Sequence, residues 1–222
     1  DLSDPAIDVY DNAMFIIALD YLLEMAPDSP QASRWKSLRE GIERNVRAHL
    51  WDVKRQKFIP HIYPEKSPIP EGFDELAIHY HGGTAIAIEA GLLSKDEIRT
   101  VNAQMLENVR LSGMPSIGLT LYPVYPDGFF HGGMSKAYLY QNGGDWTWFG
   151  GRMIQQLVVN GMVEEAYAEI HPMIKRVIQN DGFYEWYGKG GVPSGSGNFK
   201  GSAGVLSKAI ELLRDWAEKN KN

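Results

Sequence analysis

The sequence of 222 residues contains no cysteine. Disulfide bonds, thiolate metal sites, iron–sulfur clusters and cysteine nucleophiles are therefore excluded for these residues. Long basic runs are missing too, and the net charge is −6, with 22 lysines and arginines against 28 acidic residues. A nucleic-acid site needs clustered positive charge to neutralise phosphates, so we expect no nucleic-acid partner.

Long apolar runs are also missing. The longest, residues 13–19, is far shorter than the ~20 residues of a membrane-spanning helix, so we expect no membrane partner. Hydrophobic residues make up 44% and charged residues 23%, the proportions of an ordinary globular protein. The chain opens on Asp1 without methionine, which indicates a processed form or a piece of a longer protein. The compartment is left open.

Two kinds of helical pattern alternate along the chain. Segments that are apolar on nearly every side predict interior helices; they are 10–25, 84–92, 146–159 and 203–213. Segments with a single apolar stripe predict helices with one face in water; they are 35–50, 98–109 and 163–177. This order predicts an all-α fold of about seven helices in nested inner and outer hairpins, with only short β-hairpins in the loops.

One long connection, residues 140–151, contains two pairs of glycines and two tryptophans. Asp145 stands where a helix N-cap is expected, and a helix N-terminus would keep its carboxylate ionised. A capped helix with packed indoles explains the segment without any ligand. A carbohydrate site is the functional alternative, because Trp146 or Trp148 could stack on a sugar while Gln141 and Asn142 bind its hydroxyls.

A second aromatic connection, residues 181–188, precedes the last predicted interior helix. Its Glu185 is flanked by Tyr184, Trp186 and Tyr187. A carboxylate among aromatic rings suits a general acid or base. A surface glutamate in a turn is the alternative, but the aromatic composition repeats that of the first connection.

Two histidines, His79 and His81, precede the second predicted interior helix. A zinc site would need further ligands at suitable spacing, and none follows, so we expect substrate contact or loop packing and no metal. The glycine-rich run 188–204 lacks the phosphate-loop signature and does not follow a strand. We therefore expect no cofactor.

The two aromatic connections, in this order and about forty residues apart, resemble the C-terminal part of the six-hairpin glycosidases, whose catalytic domain is an (α/α)6 toroid. Residues 140–146 resemble the Y-x-N-G-G-x-W segment of plant-type neutral and alkaline invertases and debranching-enzyme-like relatives. Residues 181–187 with 199–208 resemble their W-P-E-Y-Y-D and W-S-x-A-G-x-L-x-K stretches. The sequence departs from the invertase pattern at Asp145, where a small neutral residue is usual, and at 186–188.

The resemblance implies that residues 1–222 form one catalytic domain, the C-terminal portion of a toroid that is incomplete at its N-terminus. It implies an inverting glycoside hydrolase that acts on an oligosaccharide or glycoside, with Glu185 as general base. The general acid would be an aspartate near or upstream of the first residue. The candidates in the sequence are Asp1, Asp4, Asp8 and Asp11.

The resemblance also implies partners: the missing N-terminal part of the same protein or a second copy, without which the isolated piece could be inactive. Two other functions stay open. A sugar epimerase or lyase on a related toroid could use His79, His81 or His131, and a carbohydrate-binding segment would have no catalytic residue.

The connections that lead into the predicted interior helices should open on one end of the fold, so we expect a single pocket. Its expected substrate contacts are Tyr10, Asn12, His79, His81, Gln141, Asn142, Asp145, Trp146, Trp148, Tyr184, Trp186 and Lys200.

Overall fold

The computed structural model describes residues 5–221, so Asp1 and Asp4, two of the candidate acids, lie outside the described residues. Seven α-helices occur within 5–221, joined by short 3-10 turns and strands. The helices are α1 (Val9–Met25), α2 (Ala32–His49), α3 (His81–Glu89), α4 (Lys95–Ser112), α5 (Thr147–Val159), α6 (Val163–Asn180) and α7 (Lys200–Lys219). The all-α prediction is confirmed.

The strands form two antiparallel hairpins of two strands each. They are β1 (Trp51–Asp52) with β2 (Lys57–Phe58), and β3 (Trp186–Tyr187) with β4 (Pro193–Ser194). The described residues divide into two compact units, of which the first ends at Val101 and the second begins at Asn102. Among residues 5–221, no helix is both long and apolar enough to cross a membrane.

In the first unit, α1 packs against α2 and α3. Asp8 caps α1, because its Oδ1 accepts a hydrogen bond from the backbone N–H of Asp11 at 2.8 Å. Helix α3 begins at His81, three residues before the predicted start, and is buried along almost its whole length. The expectation that this helix is interior is therefore confirmed.

In the second unit, α5 packs against α6 and α7. Its glycines allow this close approach: a Cβ on Gly150 would overlap Met173 Cε, and one on Gly151 would lie 2.9 Å from Val205 Cγ2. The amide of Gln155 then donates to the backbone oxygen of Val205 at 2.8 Å, which joins α5 to α7. Helix α5 is accordingly buried on most of its faces.

Two of the four predicted interior helices are not covered on all sides. Helix α1 exposes Phe15 and Met25, the latter to 74%, and α7 exposes Ile210 and Trp216. An all-round apolar sequence shows that a helix requires cover, but the residues that supply it need not be part of these 222. Helices α1 and α7 therefore each leave part of an apolar face uncovered by the described residues.

We expect Gly151→Ala to lower the free energy of unfolding by about 1 kcal/mol, because overpacking against the α7 backbone outweighs the gain in helix propensity. Gly204 on α7 is the matched control, since a Cβ there would have nothing within 4 Å. Gly204→Ala should stabilise the protein by about 0.5–1 kcal/mol. Urea denaturation of both variants checks the pair, and equal shifts would contradict the close α5–α7 contact.

Candidate active site

The two aromatic connections, separated by about forty residues, are joined by backbone hydrogen bonds. The N–H of Asp145 donates to the oxygen of Tyr187 at 2.9 Å, and the N–H of Tyr187 donates to the oxygen of Asp145 at 2.8 Å. Gly118 bonds to the same segment, since its oxygen accepts from the N–H of Trp146 at 2.8 Å. The structure therefore brings residues 140–146 and 185–187 together.

Tyr140 lies at the centre of an aromatic cluster at this junction. Its ring centroid is 4.8 Å from that of Trp146 and 6.3 Å from that of Trp186, both in edge-on geometry. The indole Nε1 of Trp146 donates to the backbone oxygen of Tyr140 at 3.2 Å. Tyr140 has a positive φ of 51°, uncommon for a residue with a side chain. Gly144 is required here, because a Cβ would overlap the Tyr140 oxygen.

Glu185 is half-buried beside this cluster. Its N–H donates to the oxygen of Ser196 at 2.9 Å, and the N–H of Ser196 donates to Glu185 Oε2 at 3.3 Å. Burial, and then the charge of the neighbouring Glu185 carboxylate and a hydrogen bond to it, raise the pKa of Tyr140. Gly195, with φ +71°, leaves the necessary room, since a Cβ there would lie 2.5 Å from Oε2. The Glu185 side chain therefore contacts the backbone of Ser196 and the phenol of Tyr140.

Asp145 is fully buried and does not cap α5. The N-cap residue is Trp146, which makes no side-chain capping bond, so the prediction of an Asp145 cap is wrong. Asp145 Oδ1 lies 2.7 Å from Arg176 Nη1, and Ser116 Oγ donates to both carboxylate oxygens. Burial raises the pKa of Asp145, while Arg176 and Ser116 oppose the rise. These internal partners leave Asp145 no open side for a sugar hydroxyl.

Four further expected substrate contacts are also buried. Asn142 is wholly enclosed: its Oδ1 accepts from the N–H of Tyr125 at 2.9 Å, and its Nδ2 donates to the Tyr125 and Lys136 oxygens. The others with little surface are His81, Trp146 and Trp186. Like Asp145, these side chains pack internally, and they offer a ligand little surface to contact.

Other expected substrate contacts in the second unit are accessible to solvent. Gln141 and Lys200 are exposed, and Tyr184 and Trp148 are half-buried. The guanidinium of Arg152 stands 4.4 Å from the centroid of Trp148, so one face of that indole is covered. These four residues therefore remain candidates for binding.

In the first unit, Asp8 is part of a polar cluster that the sequence did not single out. Ile7 and Ile62 exchange backbone hydrogen bonds of 2.8 and 2.9 Å, so Asp8 stands opposite His61 in the antiparallel pairing. Buried Glu75 accepts at Oε1 from Tyr63 at 2.8 Å and lies 2.8 Å from His61 Nδ1. Burial raises the pKa of Asp8, and the N–H of Asp11 and then the charge of His61 act in the opposite direction.

The remaining candidates of the first unit lie at the starts of α1 and α3. Tyr10 and Asn12 belong to the first turn of α1, half-buried, and Asp11 is exposed. The rings of His79 and His81 stack at 5.7 Å, and burial lowers the pKa of His81 to about 3, so this histidine is neutral. No group of three metal-ligating side chains occurs among residues 5–221.

The helices have the fold of an α/α toroid, as the comparison with solved structures shows. The sequence itself matches no protein-family profile and no curated protein. A GH63 mannosylglycerate hydrolase from Thermus thermophilus, solved with Tris and D-glycerate, is similar at TM-score 0.65 and 17% identity, over 95% of this chain and 46% of that one. The same enzyme with glucose gives 0.64 and 18%, over 95% and 45%.

A sialidase is also similar, at TM-score 0.60 and 11% identity, over 85% of this chain and 17% of that one. At such identities the likeness shows the fold and nothing finer. The chain spans less than half the length of these solved structures. It therefore has the fold of a portion of the toroid.

Proposed function

We propose that these residues belong to the catalytic domain of an inverting glycoside hydrolase that acts on an oligosaccharide or glycoside, with Glu185 as general base. The observation that carries the proposal is the placement of Glu185. Its carboxylate is half-buried next to Tyr140, is fixed by the backbone of Ser196, and keeps access to solvent. A base that activates water needs this combination of orientation and access.

The structural relatives support a carbohydrate substrate. The GH63 enzyme is a mannosylglycerate hydrolase, and its structures hold D-glycerate or glucose. Exposed or half-buried side chains that suit sugar binding, Gln141, Trp148, Tyr184 and Lys200, lie in the connections that surround Glu185 or at the start of α7. Tyr10, Asn12 and His79 of the first unit are proposed as further contacts.

The general acid is proposed to be Asp8, Asp11 or a residue outside this sequence. Asp8 is the better of the first two, because it is half-buried whereas Asp11 is exposed, and burial raises the pKa of Asp8 in the direction that suits a general acid. Its Oδ1 already caps α1, so the other oxygen would carry the proton.

A substrate panel with product stereochemistry tests the proposal. The protein is incubated with mannosylglycerate, sucrose, maltooligosaccharides and nitrophenyl α- and β-glucosides and mannosides. Proton NMR then follows the first anomer released. We expect hydrolysis of one class with inversion at the anomeric carbon, because water attacks from the face opposite the leaving group.

The other outcomes separate the alternatives. Retention of configuration would contradict the inverting mechanism. Conversion of a free sugar without hydrolysis would favour an epimerase, and double-bond formation would favour a lyase. Saturable calorimetric binding of a panel member with no conversion would favour the carbohydrate-binding segment.

A further inference from the structure

Arg176 on α6 is buried beneath the junction of the two aromatic connections, although it belongs to neither. We propose that Arg176 is a positioning residue for Glu185, acting through Asp145 and Tyr187. The proposal rests on the proposed function, because it takes Glu185 as the base. It adds a residue and an ion pair that neither connection reveals by itself.

One guanidinium contacts both aromatic connections. Arg176 Nη1 lies 2.7 Å from Asp145 Oδ1, in the connection before α5. Its Nη2 donates to Thr147 Oγ1 at 2.7 Å, at the first residue of α5. Its Cζ stands 4.0 Å from the ring centroid of Tyr187, in β3. Arg176 therefore fixes the end of one connection against the strand that follows Glu185.

Stability alone does not account for such a pair. Removing two charges from water is costly, and well-packed apolar replacements of buried ion pairs are often as stable. A planar guanidinium, however, can bind a carboxylate and a hydroxyl and stack on a ring at the same time, which a lysine cannot. We assign the pair an orienting role.

Few residues connect Arg176 to Glu185. Glu185 is separated from Tyr187 by one residue, and the backbone of Tyr187 is bonded to Asp145 in both directions. On its other side, Glu185 is bonded to Ser196. If Tyr187 moves, Glu185 turns about the Ser196 contact and away from the phenol of Tyr140. A displacement of about 1 Å at a reacting group can lower the rate by up to about a hundredfold.

The test compares Arg176→Met, Arg176→Lys and the double variant Asp145→Asn with Arg176→Met. The single methionine variant leaves Asp145 buried without its charge partner, so both stability and turnover should fall. The double variant removes the unpaired charge, so its melting temperature should return toward that of the wild type. Its kcat should nevertheless stay at least about tenfold low, with KM within about twofold, because orientation is still lost.

The control is Arg110→Met, which removes an exposed arginine paired with Glu107 on α4 and should change none of these values. Arg176→Lys should recover only part of the turnover. A double variant with both the stability and the kcat of the wild type would overturn the proposal, since the pair would then have no orienting role.

Amide hydrogen exchange provides a measurement that needs no substrate. The amides of Glu185 and Tyr187 should exchange at least about tenfold faster in the double variant than in the wild type, because their local opening becomes easier. If the wild type hydrolyses no panel member, the proposed function fails, while unchanged exchange would separately refute the positioning role. If the double variant does not fold, Arg176→Lys decides by the same two measurements.

Discussion

Replacement of Glu185 by glutamine is expected to lower turnover by about a hundredfold or more on whichever panel substrate is hydrolysed, the usual scale of a general-base contribution. Glutamine keeps the size of the side chain and can still accept from the N–H of Ser196. It cannot take a proton from water. The KM should change little, because the substitution removes an interaction that acts in the transition state.

Adding azide provides a second test of the role of Glu185. This small anion needs no deprotonation, so it should restore part of the reaction of Glu185→Gln and yield a glycosyl azide of inverted configuration. Glu218→Gln is the matched control, because Glu218 is exposed near the end of α7 and far along the helix from its start. Turnover equal to that of the wild type in Glu185→Gln would remove this residue from the mechanism.

Stability is expected to fall as the pH rises from about 4.5 to 7, and the responsible group is Glu169 on α6. Its Oε1 accepts a hydrogen bond from Asn102 Nδ2 at 2.8 Å within the second unit. Glu169 Oε2 and Asn102 Oδ1 have no hydrogen-bond partner among the described residues. Burial raises the pKa of Glu169 to about 7; the Asn102 bond opposes the rise and the charge of Glu165 adds to it. A protonated carboxyl supplies the donor that Asn102 Oδ1 lacks.

The direction of this pH effect follows from the pKa of Glu169 in the folded and in the unfolded chain. Between the ordinary glutamate pKa of 4.5 and the folded pKa of about 7, the folded chain holds a proton that the unfolded chain has released. The stabilisation is complete below about pH 4.5 and is lost as the pH rises through 7, by about 3 kcal/mol at most. Above that pH both states are ionised and this contribution is constant.

Glu169→Gln separates this contribution from other titrations. Glutamine keeps the bond to Asn102 and does not ionise, so urea midpoints between about pH 5 and 8 should lose most of their slope. Glu164→Gln, an exposed residue of the same helix, should retain the slope of the wild type. If Glu169→Gln titrated as the wild type does, another group would be responsible.

The helices could be predicted from the sequence because apolar periodicity is a local signal. All seven are present. Helix α3 begins at His81, three residues before its predicted start, because its two glycines are helical but contribute nothing to the apolar pattern. Periodicity shows which faces require cover, as for α1 and α7, but not which residues provide it. Which residues cover an apolar face depends on tertiary contacts.

The candidate site was predictable only in part, for the same reason. Its two aromatic connections are distinctive in composition, and the structure joins them. The roles of Asp145 and Asn142 could not be predicted from the sequence. Their partners, Arg176 and Tyr125, are distant along the chain and lie in segments with no unusual composition. Tyr140 begins the Y-x-N-G-G-x-W segment, but nothing in the sequence marks it as part of the site, since only its position beside Glu185 sets it apart.

The joining of the two connections also sets an order of events during synthesis. A ribosome makes Tyr187 about forty residues after Asp145, an interval of roughly 2–8 s at about 5–20 residues per second. Until then, the backbone N–H and C=O of Asp145 lack the partners that Tyr187 supplies, although Ser116 and Gly118, which also bond to this segment, have already been made. The pairing of the two connections, and the contact between Tyr140 and Trp186, can therefore form only after the second connection has been made.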